Sequence, residues 1–101
     1  MESAVHILVA EDEPLIALAL QGNLEEGGYT IRVAASGREA LLALESAEPI
    51  FVGLITDIRL GAGPDGWEVA RRARELNPGL AIVYMSGDSA HEHASRGSRT
   101  A

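Results

Sequence analysis

A chain of 101 residues, 47% of them apolar, has room for one domain with one core, so a single unit over residues 1–101 is expected. Fifteen acidic residues against eight basic ones leave a formal charge of −7, which opposes binding to phosphate backbones or anionic lipid; neither nucleic acid nor a membrane is an expected partner. All eight basic residues are arginine and no cysteine is present, which excludes disulfides and thiolate metal sites.

The start, Met1 to His6, has no basic segment, and the apolar run Ile7 to Ala10 is too short for a signal peptide or a membrane span, so a soluble cytoplasmic protein is expected. Val5 to Ala10 is rich in β-branched residues and nearly continuously apolar, the pattern of a strand buried on both faces of a parallel sheet. It stops at Glu11-Asp12-Glu13. Pro14 suits the first turn of a helix with Ile16, Leu20 and Leu24 on one face, closed by Gly27-Gly28.

The alternation then repeats. Tyr29 to Ala34 reads as a strand, and Ser36 with Glu39 has capping-box spacing for a helix to about Ala47. Ile50 to Thr56 is a third strand, followed by the irregular loop Gly61-Ala62-Gly63-Pro64. Asp65 and Glu68 again have capping spacing, for a helix carrying Val69, Ala70, Ala73 and Leu76 that ends at Asn77-Pro78-Gly79. Leu80 to Met85 is a fourth strand; a short helical turn is expected from Ser89 to about Arg96, and a frayed tail from about residue 97. Strands alternating with helices imply right-handed crossovers and a doubly wound parallel sheet in three layers. In such sheets ligands bind beyond the carboxyl ends of the strands.

At those ends stand Glu11, Asp12 and Glu13 after the first strand, Asp57 after the third, and Ser86 followed by Gly87 after the fourth. Gathered carboxylates repel one another unless a cation neutralises them, and hard oxygen donors suit Mg²⁺. A carboxylate beside Mg²⁺ can attack a phosphoryl group. Each residue also has a plainer reading: the acidic run as favourable charge at a helix N-terminus, Asp57 as a loop cap, and Ser86 as a cap of the next turn. His91 and His93 alternate, so they do not share a helix face and read as exposed polar residues of a tail. His6 reads as structural and Trp67 as an anchor of the third helix. The loop at 61–66 lacks the lysine and spacing of a nucleotide-binding loop.

Three segments together, Ile7-Leu8-Val9-Ala10-Glu11-Asp12-Glu13-Pro14, Leu54-Ile55-Thr56-Asp57-Ile58-Arg59-Leu60 and Ile82-Val83-Tyr84-Met85-Ser86-Gly87, resemble the signature segments of response-regulator receiver domains. The resemblance covers Val5 to His93. It implies a flavodoxin-like fold with strand order 2-1-3-4, lacking the family's fifth strand and helix. It further implies Glu11, Asp12 and Asp57 as side-chain ligands of Mg²⁺, with the backbone carbonyl of Arg59 joining them. By the same resemblance Asp57 is the phosphoacceptor, Ser86 hydrogen-bonds the phosphoryl group, and Gly87 leaves the site accessible. The donor would be a histidine kinase or a histidine phosphotransfer protein.

Two departures stand out. The loop from Asp57 to Gly66 is one residue longer than the common form, with Gly61 where many members have proline. The family's lysine, which pairs with the acyl phosphate, has no counterpart in a sequence without lysine. The chain is therefore expected to be truncated or shortened, with its fourth strand exposed and self-association through that strand as a consequence. Phosphoryl acceptance on Asp57 is the leading expectation, as a signalling domain with at most slow self-dephosphorylation. An interaction module that is not phosphorylated is the alternative, and a phosphatase of small phosphates ranks third, for want of a general acid.

Overall fold

The computed structural model describes residues 5–85. Four strands, β1 (His6–Ala10), β2 (Thr30–Ala34), β3 (Phe51–Asp57) and β4 (Ala81–Met85), alternate with three helices, α1 (Pro14–Glu26), α2 (Gly37–Glu45) and α3 (Gly66–Leu76). All pairings are parallel and the sheet order is β2-β1-β3-β4. This is the flavodoxin-like arrangement without a fifth unit among the described residues. The expected turn from Ser89, the tail, Ser86, Gly87, His91 and His93 lie outside those residues.

Local chemistry starts the helices where the sequence implies. Ser36 Oγ accepts from the Glu39 amide at 3.1 Å while Glu39 Oε1 accepts from the Ala35 amide at 2.9 Å. Asp65 and Glu68 form the reciprocal pair at α3, at 3.0 and 3.3 Å. At α1 no side chain caps the first turn, and Pro14 starts the helix where its missing N–H costs nothing. From the last turn of α3, the Arg74 guanidinium donates to the carbonyls of Pro78 and Leu80, at 2.8 and 2.5 Å, and so secures the turn that leads into β4.

The two faces of the sheet are covered unequally. Leu8, Ala10, Leu54 and Leu60 meet Ala40 and Ala43 of α2 and Val69, Ala70 and Ala73 of α3 in one buried cluster, with Ile82 and Tyr84 packed at its margin. Small alanines on both helices let them lie close to the sheet and to each other. On the opposite face α1 buries Ala17, whereas Ile16 is exposed and Leu20 and Leu24 are only partly covered. The apolar stripe expected at Ile16, Leu20 and Leu24 is thus rotated by one position, because the sheet is met through the small Ala17. Val83 on this face is 54% exposed, and β3 is β4's one sheet neighbour among the described residues.

A bulge between His6 and Ile7 shifts the β1–β3 register, so that His6 pairs with Phe51 and Ile7 with Gly53. From there the strands run in step to Ala10 opposite Thr56. Each next residue is an acid. Leu54 is fully buried at the centre of the cluster, and truncating such a leucine leaves a cavity that the flanking helices cannot fill. Leu54→Ala should therefore cost about 2–5 kcal/mol in urea denaturation, against about 1 kcal/mol for loss of the α3 cap in Asp65→Ala.

Candidate metal and phosphoacceptor site

Because β1 and β3 are neighbours in step, Glu11 and Asp57 leave the same edge of the sheet side by side. Carboxylate oxygens of Glu11, Asp12 and Asp57 lie within 4.8 Å of one another. Glu11 is buried, Asp57 half-buried and Asp12 exposed, so the cluster is graded from interior to solvent. It forms one wall of an open cleft of about 480 Å³ that is also lined by Glu13, Ile16, Arg59 and Met85.

Backbone geometry orients each acid. The Glu11 amide donates to the Ala34 carbonyl at 3.0 Å, extending the β1–β2 ladder by one residue. The Glu13 amide donates to Glu11 Oε2 at 2.9 Å, folding that side chain back under the start of α1. The Arg59 amide donates to Asp57 Oδ1 at 3.3 Å, and Thr56 Oγ1 donates to the Asp57 carbonyl at 2.9 Å. Ile58 ties the end of β3 to β4 through its amide and the Met85 carbonyl, at 3.4 Å.

Electrostatics agree with a cation-binding role. Burial pushes the Glu11 carboxyl up from its ordinary range, and the charges of Asp57 and Asp12 push the same way, against the opposing hydrogen bond from Glu13. All the donors are hard oxygens. Two oxygens that both touch Mg²⁺ at ~2.1 Å stand no more than ~4.2 Å apart, so a cluster spanning up to 4.8 Å holds this ion after a small contraction or with one acid bound through water. The residues present fit a small divalent ion.

The structure thus brings together Glu11, Asp12 and Asp57 of the positions expected to form the site, and places Arg59 in the same cleft with its amide on Asp57. Two contributors were not singled out as such from sequence. Thr56, fully buried, secures the carbonyl of Asp57. Gly66 begins α3 directly against the Asp57–Ile58 backbone, where a Cβ would overlap the Asp57 carbonyl oxygen. Its position just after the N-cap Asp65 was the available signal, since a helix start pressed on a strand end leaves no room for a side chain.

A 2-1-3-4 parallel sheet with an acidic cluster beyond adjacent strands defines the class, a flavodoxin-like α/β domain, and comparison with known proteins gives the family. Residues 7–100 match the response regulator receiver domain, and the chain belongs to that family. It is 39% identical over 88 residues to the transcriptional regulatory protein TcrA of Mycobacterium tuberculosis, covering 87% of this chain and 34% of that protein. The chain therefore spans about a third of that relative's length. Its fold is similar to that of a response regulator receiver protein from Sinorhizobium medicae, with a TM-score of 0.83, 44% identity, and coverage of 94% of this chain and 76% of the other. It is also similar to a response regulator protein from Burkholderia pseudomallei with a phosphorylated aspartic acid, calcium ion and citrate (TM-score 0.73, 28% identity, 82% and 47% covered).

The raised Glu11 carboxyl has a consequence for stability. Between the ordinary glutamate value and the raised one, the folded chain holds more proton than the unfolded chain, so the metal-free protein should lose stability as pH rises through that window. Glu11→Gln removes the ionisation and keeps an oxygen for the Glu13 amide. It should flatten the loss and stabilise the metal-free protein at neutral pH, as urea denaturation across the acid-to-neutral range would read; an unchanged slope would contradict the assignment.

Proposed function

We propose that this receiver domain accepts a phosphoryl group on Asp57 from a histidine kinase or a histidine phosphotransfer protein, at a site that binds Mg²⁺. The observation that carries the reading is the convergence of Glu11, Asp12 and Asp57 at the ends of adjacent strands. The phosphorylated aspartic acid and calcium ion of the Burkholderia protein support extending it to this chain.

Asp57 supplies the nucleophile. One carboxylate oxygen forms a bond to phosphorus as the bond to the donor nitrogen breaks, and the electron pair leaves with the imidazole. The Arg59 amide on Oδ1 holds the carboxylate toward the cleft. Glu11, Asp12 and Asp57, with the Arg59 carbonyl, would hold Mg²⁺, which when bound offsets the repulsion between the carboxylates and the anionic donor. Ser86, beyond the described residues, would hydrogen-bond the transferred group and couple its arrival to movement. Turnover is not required of such a switch. We infer a cytoplasmic setting, where such donors act; no helix among the described residues is long and apolar enough to cross a membrane.

Residues 1–101 include no lysine to pair with the acyl phosphate. That favours slow labelling, and it is the observation behind a second reading, an interaction module that is not phosphorylated. Acetyl phosphate with Mg²⁺ separates the two. Phosphoryl acceptance predicts one acid-stable, base-labile group, lost in Asp57→Asn, whose amide lacks the nucleophilic oxygen, and retained in part in Ser86→Ala. A folded chain that binds Mg²⁺ and takes no label would favour the interaction module. Labelling that survives Asp57→Asn would remove that residue from its role.

A further inference from the structure

Two glycines outside the loop of residues 58–65, which runs from Asp57 to α3, and one within it make its close contacts. At Gly66 a Cβ would overlap the Asp57 carbonyl and crowd Ile58 Cα; at Gly37 it would overlap the Pro64 carbonyl; at Gly61 it would come to 3.4 Å from Asp12 Oδ2. The loop is closed at its base by the Gly66 amide, which donates to the Ile58 carbonyl at 2.8 Å. Its far shoulder rests on the first residue of α2. Its near side lies against an acid of the cation site.

The contact at Gly37 is rigid on both sides. Gly37 is buried and follows Ser36, whose capping pair with Glu39 fixes the start of α2. Pro64 precedes Asp65, whose pair with Glu68 fixes the start of α3. Both helices are anchored through buried alanines in the same cluster. No flexible side chain separates the two starts at this contact, so a group added at Gly37 displaces backbone. The compliant part is the stretch between, where Gly61 and Gly63 both have positive φ, 76° and 89°. A push on Pro64 is therefore taken up beside Asp12.

We propose that Gly37, which lies outside the acidic cluster, is a positioning residue for the cation site: by admitting the Pro64 carbonyl against the start of α2, it sets the 58–65 loop against Asp12. The inference rests on the Mg²⁺ site proposed above. It assigns to α2 a part in building that site, although α2 contributes none of its ligands. Helix propensity works in the opposite direction, because alanine is the better helix former and Gly37→Ala would stabilise α2 if the contact did not matter.

Mg²⁺ titration of the full 101-residue chain, read by calorimetry and by amide NMR shifts, tests it. Gly37→Ala should weaken Mg²⁺ binding about ten-fold, the scale of losses when support behind metal ligands is disturbed. Gly22→Ala, which adds the same group to a helix glycine with nothing within 4 Å of it, should leave the affinity unchanged. A folded Gly37→Ala protein with wild-type affinity would overturn the proposal, as would an equal loss in Gly22→Ala. If Gly37→Ala does not fold, the wild-type spectrum decides. Shifts on Mg²⁺ addition should then reach the amides of Gly61, Gly63 and Gly37 together with Asp12 and Asp57, and an unmoved Gly37 amide would refute it. Absence of saturable binding by the wild-type chain is a different result, which overturns the Mg²⁺ site itself and this inference with it.

Discussion

Carboxylates crowded at the edge of a protein interior repel one another and resist desolvation, and the rest of this structure is organised around tolerating that arrangement. Glu11 is 3% exposed, yet it stands in the same cluster as Asp12 and Asp57. In water such charges would separate. Here they cannot, because β1 and β3 are hydrogen-bonded in step up to Ala10 and Thr56, and the next residue on each strand is an acid. Burial first, and then the charges of Asp57 and Asp12, raise the Glu11 carboxyl in the metal-free protein; a divalent cation would relieve the repulsion while keeping all three groups ionised.

Support for the cluster comes from backbone more than from side chains. The Glu13 and Arg59 amides orient Glu11 and Asp57, and Gly66 closes the loop that follows Asp57. That loop meets the starts of α2 and α3 backbone to backbone, at Gly37 and Gly66. The large apolar cluster beneath α2 and α3 gives those starts a fixed base. The opposite face, where α1 buries chiefly Ala17, has no comparable base among the described residues.

Local features of the chain were legible without coordinates. Ser36 with Glu39 and Asp65 with Glu68 announce helix starts, since a capping box involves residues three apart and needs nothing from the remainder of the fold. The strands were legible as short β-branched runs, and acids immediately after two of them marked the site. Element ends moved by a residue or two, as expected where a fraying turn or a strand end is settled by its neighbours. Ile16 was assigned to the buried stripe of α1 from its spacing. It is exposed, because periodicity defines a stripe only to within one position and the sheet selects which side chain fits beneath the helix.

By itself, the sequence determined the kind of chemistry available: oxygen donors without thiolates, arginine without lysine, and acids at strand ends in the order of a receiver domain. Which acids share a site was named only by the resemblance, as Glu11, Asp12 and Asp57; the tertiary structure supplies the physical reason. Nothing in the spacing of Glu11 and Asp57 makes them neighbours; adjacency of β1 and β3 does, and sheet order is a global outcome of helix packing and strand pairing. The same holds for Gly37 and Pro64. A glycine in a sequence is compatible with a turn, a cap or a close approach, and the meeting of two backbones far apart along the chain selects the last.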